Sequence, residues 1–286
     1  MWPVVFLIFG MNGELPSLDL AVATHRPEGI RRVAKMILPP ADGITYVISW
    51  QNHQDAPVPP ELAARLDVKI FRFDGVGQSN NRNNAVAHCR AEIILHSDDD
   101  IIYLKEGLEG LRLIFKENPS VDVATFISRH GDMARFPQRE VKLTERFPKG
   151  YSVACFEIAF RGRIKERILC CPELGLGSRK LHGGEDEMFL YSAIKRGLDC
   201  RFFPLMICEH PHDSTGTKGT VTAENIMAFG CVIALTYPWS SPLRLPLKAW
   251  RLWRSGRSPL VRGLWLLLRG ASMAPGVLRR NHDSLW

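Results

Sequence analysis

Between Leu18 and Ile127, short apolar runs rich in β-branched residues alternate with segments whose apolar positions recur at helical spacing. "LDLAVAT" and "ITYVISW" read as strands, with "PEGIRRVAKMI" as the helix between them. "DVKIFRF" is a third strand and "NRNNAVAHC" a helix after a polar loop. "AEIILHS" is a fourth strand, "LKEGLEGLRLIFKEN" an amphipathic helix ended by Pro119, and "VDVATFI" a fifth strand. Strand–helix–strand order joins parallel neighbours, so the pattern predicts an α/β fold: a single Rossmann-type domain with a mostly parallel sheet covered by helices. Such sheets bind ligands beyond the carboxyl ends of their strands. At one of those ends, "AEIILHS" runs into Asp98, Asp99 and Asp100. Three adjacent carboxylates repel one another, and one takes up a proton unless something positive compensates. A solvated turn is one answer and a divalent cation is another.

Beyond residue 130 the rhythm loosens into a polar, irregular stretch long enough to be a functional loop or a small lobe. "YSVACFEIAF" resumes as a strand, and the glycine-rich "ELGLGSRKLHGGEDEMFL" leads into a helix, "DEMFLYSAIKRG". "CRFFPLMICEHPHDST" is a late strand ending in His210 and His212. Three sets of groups therefore fall at element ends: Asp98–Asp99–Asp100, Glu185–Asp186–Glu187, and the two histidines. Carboxylate oxygens with one imidazole suit Mg²⁺ or Mn²⁺ that keeps open positions for substrate phosphates. An acidic group near the cation but not bound to it can act as general base. Each set also has a plainer reading. The triplet can be a solvated turn, the acids before the helix favour its dipole, and a histidine after a strand can be structural.

The chain has 286 residues, 45% of them hydrophobic and 23% charged, which describes an ordinary folded protein. Its seven cysteines form no CxxC pair and fit buried thiols in a reducing compartment. The apolar start, "MWPVVFLIFG", is shorter than the roughly 20 residues that span a bilayer and lacks the basic region of a secretory signal. Met11 is an alternative first residue. From Pro238 onward, nine Lys/Arg stand against one acid, Asp283, so this tail carries +8 and everything before it −1 of the +7 total.

"GQSNNRNNAVAHCRAEIILHSDDD" resembles the nucleotide-binding half of the family 2 glycosyltransferases of the GT-A type, with an Arg-Asn pair opening a helix and a strand ending in an Asp-x-Asp motif. "LGLGSRKLHGGEDEMFL" is similar to that family's later glycine-plus-acid motif, and "ICEHPHDST" to the strand and histidine that follow. The resemblance covers residues 18–217. It implies a GT-A-like domain over 18–225 (nucleotide-binding half 18–128, acceptor half 129–225), a lead of residues 1–17 and a helical basic extension over 226–286. It also implies roles. Asp98 and Asp100 match the metal motif, the first approaching nucleotide ribose or metal and the second ligating the metal; Asp99 sits between them and assists in nucleotide binding. Arg82 matches the residue that approaches the donor diphosphate, and Thr24 lines the nucleotide pocket. Asp186 matches the catalytic base of inverting members, with Glu185 its competitor, and His210 is the third metal contact, His212 the other choice. The implied reaction is metal-dependent, inverting transfer from a nucleotide-diphosphate sugar, UDP favoured, to a glycan or lipid-linked acceptor hydroxyl, in surface polysaccharide or glycolipid assembly. One departure stands out: where many members carry an Asp after the second strand, this chain has "ISWQNHQD", with Gln51 in place and Asp55 late.

Five of the seven tryptophans, Trp239, Trp250, Trp253, Trp265 and Trp286, lie in the basic tail. Two readings stay open: a basic amphipathic helix lying on an anionic membrane surface through residues 238–286, or a helical subdomain packing its Trp and Leu onto the main domain. No nucleic-acid motif accompanies the arginines. The expected location is cytoplasmic, peripheral on the inner face of the cytoplasmic membrane. Rival readings are a catalytically inactive glycosyltransferase-like module that binds nucleotide or sugar, and a metal-dependent phosphoesterase.

Overall fold

The computed structural model describes residues 14–129, 133–210 and 221–285, so His212, Trp286 and both candidate start residues lie outside the described residues. The first half follows the alternation. β1 (Leu18–His25), α1 (Arg26–Met36), β2 (Ile44–Gln51), the short α2 (Pro60–Ala63), β3 (Val68–Phe73), α3 (Gln78–His88) and β4 (Ile93–Asp98) come in order. β5 (Ile102–Tyr103), α4 (Lys105–Glu117), β6 (Val123–Arg129) and β7 (Val141–Lys142) lead into β8 (Ile158–Arg161), α5 (Glu185–Lys195) and β9 (Cys200–Glu209). Four helices follow: α6 (Ala223–Thr236), α7 (Ser241–Arg254), α8 (Leu260–Arg280) and α9 (His282–Leu285). α6 opens just ahead of the boundary expected at 225/226.

One strand is shorter than its sequence suggests. Within "YSVACFEIAF", Cys155–Glu157 form a 3-10 turn, and only Ile158–Arg161 join the sheet. The cause is Glu157, a fully buried carboxylate that must be satisfied where it stands. It accepts the Ala154 N–H at 2.9 Å and bonds Ser128 and Arg135, which draws the chain into a tight turn.

The sheet order is β3-β2-β1-β4-β8-β6-β9-β5, with β7 also on β9. β3, β2, β1 and β4 are parallel neighbours, so their carboxyl ends share one edge. β8 runs antiparallel between β4 and β6, and β6 runs parallel to β9. Alternating side chains feed two cores. Leu18, Leu20 and Val22 of β1 pack with Ile30 and Val33 of α1 and Leu108 and Leu111 of α4. Ala21 and Val47, facing the other way, meet Ala85 and Val86 of α3 and Phe189 and Leu190 of α5.

A third core joins the C-terminal helices to α5 through Met188, Tyr191, Leu245, Leu252 and Leu267, so these helices form a packed subdomain. α6 and α8 approach at van der Waals distance because two glycines face each other's backbone. A Cβ on Gly270 would sit 1.9 Å from the Met227 carbonyl oxygen, and one on Gly230 would sit 2.0 Å from that of Leu267. In a helix interior, Gly→Ala is ordinarily worth roughly 0.5–1 kcal/mol of added stability. Here overpacking against backbone, about 1–3 kcal/mol, outweighs that gain. Gly270→Ala is therefore expected to lower the midpoint of urea unfolding. Gly276→Ala in the same helix, where only the flexible end of Arg280 lies near, is expected to leave it unchanged or raise it.

Candidate active site

The carboxyl ends of β1, β2 and β4 and the loop after β3 open onto a cavity of about 950 Å³. Thr24, His25 and Arg32 line one wall, Asp98–Asp100 and His210 another, and the loop of Leu176 and Gly177 a third. Beyond β2, Gln51 donates its side-chain amide to the Gly75 carbonyl at 2.5 Å. Asn52, His53 and Gln54 continue this rim, on which His53 Nε2 lies 3.2 Å from Asp74. Asn52, Gln54 and Asp55 hold positive φ angles of 51–52°, an uncommon conformation outside glycine. Asp55, the late acid of "ISWQNHQD", is turned to solvent beside Arg72.

The three aspartates avoid mutual repulsion by pointing to three different partners. Asp98 meets Arg82, whose Nη2 donates to both its oxygens at 3.1 and 3.3 Å. Asp99 turns to the opposite wall, where the Thr24 hydroxyl donates at 2.6 Å and the Arg32 guanidinium donates through Nε and Nη2 at 2.8–3.0 Å. Asp100 lies 3.4 Å from His210 Nε2. Gly29 is part of this arrangement: any Cβ there would sit 2.2 Å from the Thr24 hydroxyl and 2.6 Å from Asp99.

Arg82, on α3 and 2% exposed, carries the second half of the site. Its Nη1 donates to Glu185 at 3.1 Å and to Asp186 at 3.0 Å, both in the first turn of α5. One guanidinium thus faces three carboxylates brought together from β4 and α5. Burial works to raise the Asp98 pKa, yet the charge and hydrogen bonds of Arg82 outweigh it and hold that carboxyl below its usual range. Asp186 goes the other way. Burial, with Glu185, Asp98 and Glu187 alongside, pushes it well above the usual carboxylate range despite Arg82. Asp100 is also raised, by burial and by its two aspartate neighbours, against the pull of His210. Cys155 donates its thiol to Asp98 at 3.3 Å, and burial keeps that thiol neutral by pushing its pKa far up.

Two glycines set the entry to these helices. α3 starts after Gly77 at φ 97°, and α5 after Gly184 at φ 81°, where an added Cβ would also strike Val232 at 2.5 Å. Gly177 packs against Gly77, and Gln78 N–H bonds the Leu176 carbonyl at 2.8 Å, which locks the glycine-rich loop onto α3.

The structure gathers Thr24, Arg82, Asp98, Asp99, Asp100, Glu185, Asp186 and His210 at one end of the sheet, with two departures from the expected roles. Arg82 is buried among carboxylates and, like Glu185 and Asp186, does not line the cavity; the guanidinium on the cavity wall is that of Arg32, 50% exposed. Asp99, expected to assist at nucleotide or metal, is occupied by Arg32 and Thr24. Among the described residues, no group of three His, Cys, Asp or Glu is gathered as a closed cation site. The adjacent Asp100 and His210 fit a cation that takes its remaining ligands from substrate oxygens, as Mg²⁺ and Mn²⁺ do. Arg32 and Gly29 carry no motif of their own. Their i, i+3 spacing at the start of α1, which puts both on the face toward β1, is the only signal in the sequence.

Residues 56–180 match the family model described as glycosyl transferase family 2. No curated protein sequence matches the chain. Solved structures of Staphylococcus aureus TarS share the fold. The 1–349 form in complex with UDP is 15% identical with a TM-score of 0.58, over 94% of this chain and 88% of that one. The complex with UDP-GlcNAc is 13% identical with a TM-score of 0.57 over the same shares. Against the longer TarS structure (17% identity, TM-score 0.55) the chain spans 43% of its length. Residues 56–180 thus carry the match to glycosyl transferase family 2, and the strands and helices around them share the fold of the TarS structures.

Proposed function

We propose that the protein transfers a sugar from a nucleotide-diphosphate donor, UDP favoured, to a hydroxyl of a glycan or lipid-linked acceptor, with inversion at the anomeric carbon. The observation that carries this reading is the Arg82 bridge, which sets the cavity-lining Asp98 and the carboxylate of Asp186 on one guanidinium. Donor site and base are thereby fixed relative to each other before substrate arrives, as transfer between two bound partners requires. Two TarS structures hold UDP or UDP-GlcNAc, which supports a donor of the same class in the cavity.

Asp186 takes the proton from the acceptor hydroxyl. The freed oxygen attacks the anomeric carbon from the face opposite the diphosphate, the bond to the diphosphate oxygen breaks, and one displacement inverts the centre. Asp100 and His210, with Asp98 nearby, would hold Mn²⁺ or Mg²⁺, which when bound offsets the charge of the departing diphosphate. Arg32 takes the cationic role on the cavity wall that the resemblance assigned to Arg82. The raised pKa of Asp186 makes its carboxylate a stronger base than an ordinary aspartate, provided it is ionised at the working pH.

Titration of UDP followed by calorimetry tests the donor site. Binding is expected with Mn²⁺ and is expected to be lost with EDTA or in Asp100→Ala; a folded protein that takes up no nucleotide under any condition refutes the reading. Asp186→Asn should keep UDP binding while transfer to acceptor falls by about 10²–10⁴-fold, the usual worth of a general base. Loss of transfer in Glu185→Gln with activity retained in Asp186→Asn would move the base to Glu185. The pH profile supplies a third check. Transfer requires ionised Asp186, so kcat should rise with pH along a limb lying above the ordinary aspartate value of about 3.9. Glu185→Gln removes a like charge that helps raise Asp186, so that limb is expected to move to lower pH. A limb that stays in place contradicts the assignment.

A further inference from the structure

α7 and α8 each carry two apolar stripes, and only one of each is used in packing. On α7, Leu245, Ala249 and Leu252 are buried in the third core, whereas Leu243, Leu247 and Trp250 are exposed at the same i, i+4, i+7 spacing. On α8, Leu266 and Leu267 are buried, while Val261, Trp265 and Leu268 repeat that spacing in solvent. Val261 and Leu243 are each 80% exposed, and Trp239, ahead of α7, is 98% exposed. Scattered surface hydrophobics need no explanation, but two periodic stripes on adjoining helices do. The two helices are joined by a short turn and pack on each other, so both stripes belong to one end of the molecule.

The charges around the stripes are nearly all of one sign. Arg251, Arg254, Arg257 and Arg262 are exposed between or beside the apolar residues, and Asp283 is the single acid from Pro238 onward. Two of the exposed tryptophans carry a guanidinium over the ring: Arg254 lies 5.3 Å from Trp250 and Arg269 lies 5.2 Å from Trp265. An indole under an arginine presents apolar surface and a cation at one depth, as the boundary between acyl chains and headgroups requires. A second copy of this chain, docked face to face, would set arginines against arginines. A nucleic acid would satisfy the charge but leave Leu243, Val261 and Leu268 without an apolar partner. No helix among the described residues is long and apolar enough to cross a membrane.

We propose that the exposed face of α7 and α8 lies on the surface of an anionic lipid bilayer, inserting Trp250, Trp253 and Trp265 at the interface while the arginines meet lipid phosphates. This places the protein at a membrane surface through α7 and α8, and it stands or falls independently of the donor chemistry.

The test is sedimentation of the full chain with vesicles of phosphatidylglycerol and phosphatidylcholine in equal parts, with phosphatidylcholine alone as the comparison. Binding is expected to the anionic vesicles, to weaken as salt rises, and to bring a blue shift in tryptophan fluorescence. Combined Trp250→Ser, Trp253→Ser and Trp265→Ser, or combined Arg251→Glu, Arg254→Glu and Arg262→Glu, should lower partitioning by at least about ten-fold. UDP titration and the melting temperature of each variant report that the fold survives, since every substituted side chain is exposed. Three results overturn the proposal: wild-type protein that stays in the supernatant with anionic vesicles, vesicle binding indifferent to charge reversal, and a wild-type dimer that ignores vesicles but is split by the tryptophan substitutions. The last would assign the face to a second copy.

Discussion

One buried guanidinium, that of Arg82, organises the candidate site. The Arg82 guanidinium is withdrawn from solvent and holds Asp98 from β4 with Glu185 and Asp186 from α5. Isolated charges at such depth would cost far more than folding could offset, so cation and carboxylates are each there only because the other is. Three carboxylates against one guanidinium leave negative charge unbalanced. The imbalance is unequal: Asp98, facing Nη2 with both oxygens, is held ionised, while Asp186 is pushed toward protonation. Pairs of acids whose surroundings drive their pKa values apart are what acid–base chemistry needs; here burial and the neighbouring acids prevail over Arg82 at Asp186, whereas Arg82 prevails over burial at Asp98. Its Nε finds no hydrogen-bond partner among the described residues. The guanidinium is thus placed for its two terminal nitrogens, which link the halves, and not for full satisfaction.

The aspartate triplet follows the same logic at the cavity wall. Asp98 is the last residue of β4 and Asp99 and Asp100 lie in the turn after it, so the three successive carboxylates leave in different directions. The surrounding elements supply a partner in each: α3 with Arg82, α1 with Arg32 together with Thr24 of β1, and the end of β9 with His210. Asp100 alone of the three faces an imidazole and not a guanidinium. That asymmetry leaves it as the group with coordinating capacity to spare. The missing Cβ of Gly29 is a requirement of the Asp99 contact instead, since Thr24 and Asp99 occupy the space.

How far this was legible in sequence depended on the range of the interaction. β1 to β4 and α1, α3 and α4 could be read because the period of apolar residues is a local property, and the triplet because charge at a strand end is conspicuous. The partners of Arg82 could not be read, since its bonds to Glu185 and Asp186 bridge about a hundred residues. An arginine in a helix announces a cation without saying whether it faces substrate or the protein's own acids. Glu157 shows the opposite failure. "YSVACFEIAF" has the apolar content of a strand, but one carboxylate inside it had to be satisfied by Arg135, Ser128 and the Ala154 N–H, and that demand outweighed β propensity. In the tail, composition exposed the arginines and tryptophans but left two readings open. The helices pack as a subdomain and also carry a second, unburied stripe, so both readings drew on real features of the same segment.

The tail is not independent of the chemistry, because α5 stands between them. Phe189 and Leu190 of α5 belong to the core beneath the sheet, whereas Met188 and Tyr191 belong to the core of the C-terminal helices. At its start, Gly184 admits Val232 of α6 at a distance no side chain would allow. Glu187, raised by burial and by Glu185, feels the opposing charge of Lys248 on α7, itself lowered by burial. The helix that presents Asp186 is therefore clamped from both sides, by the sheet through Arg82 and by the tail through packing and charge. Removing everything beyond Tyr237 would strip the cover from Met227, Cys231 and Leu235 and loosen the helix that carries Asp186 along with any membrane contact. Substitutions confined to the exposed stripes separate these two roles because they leave the clamp on α5 intact.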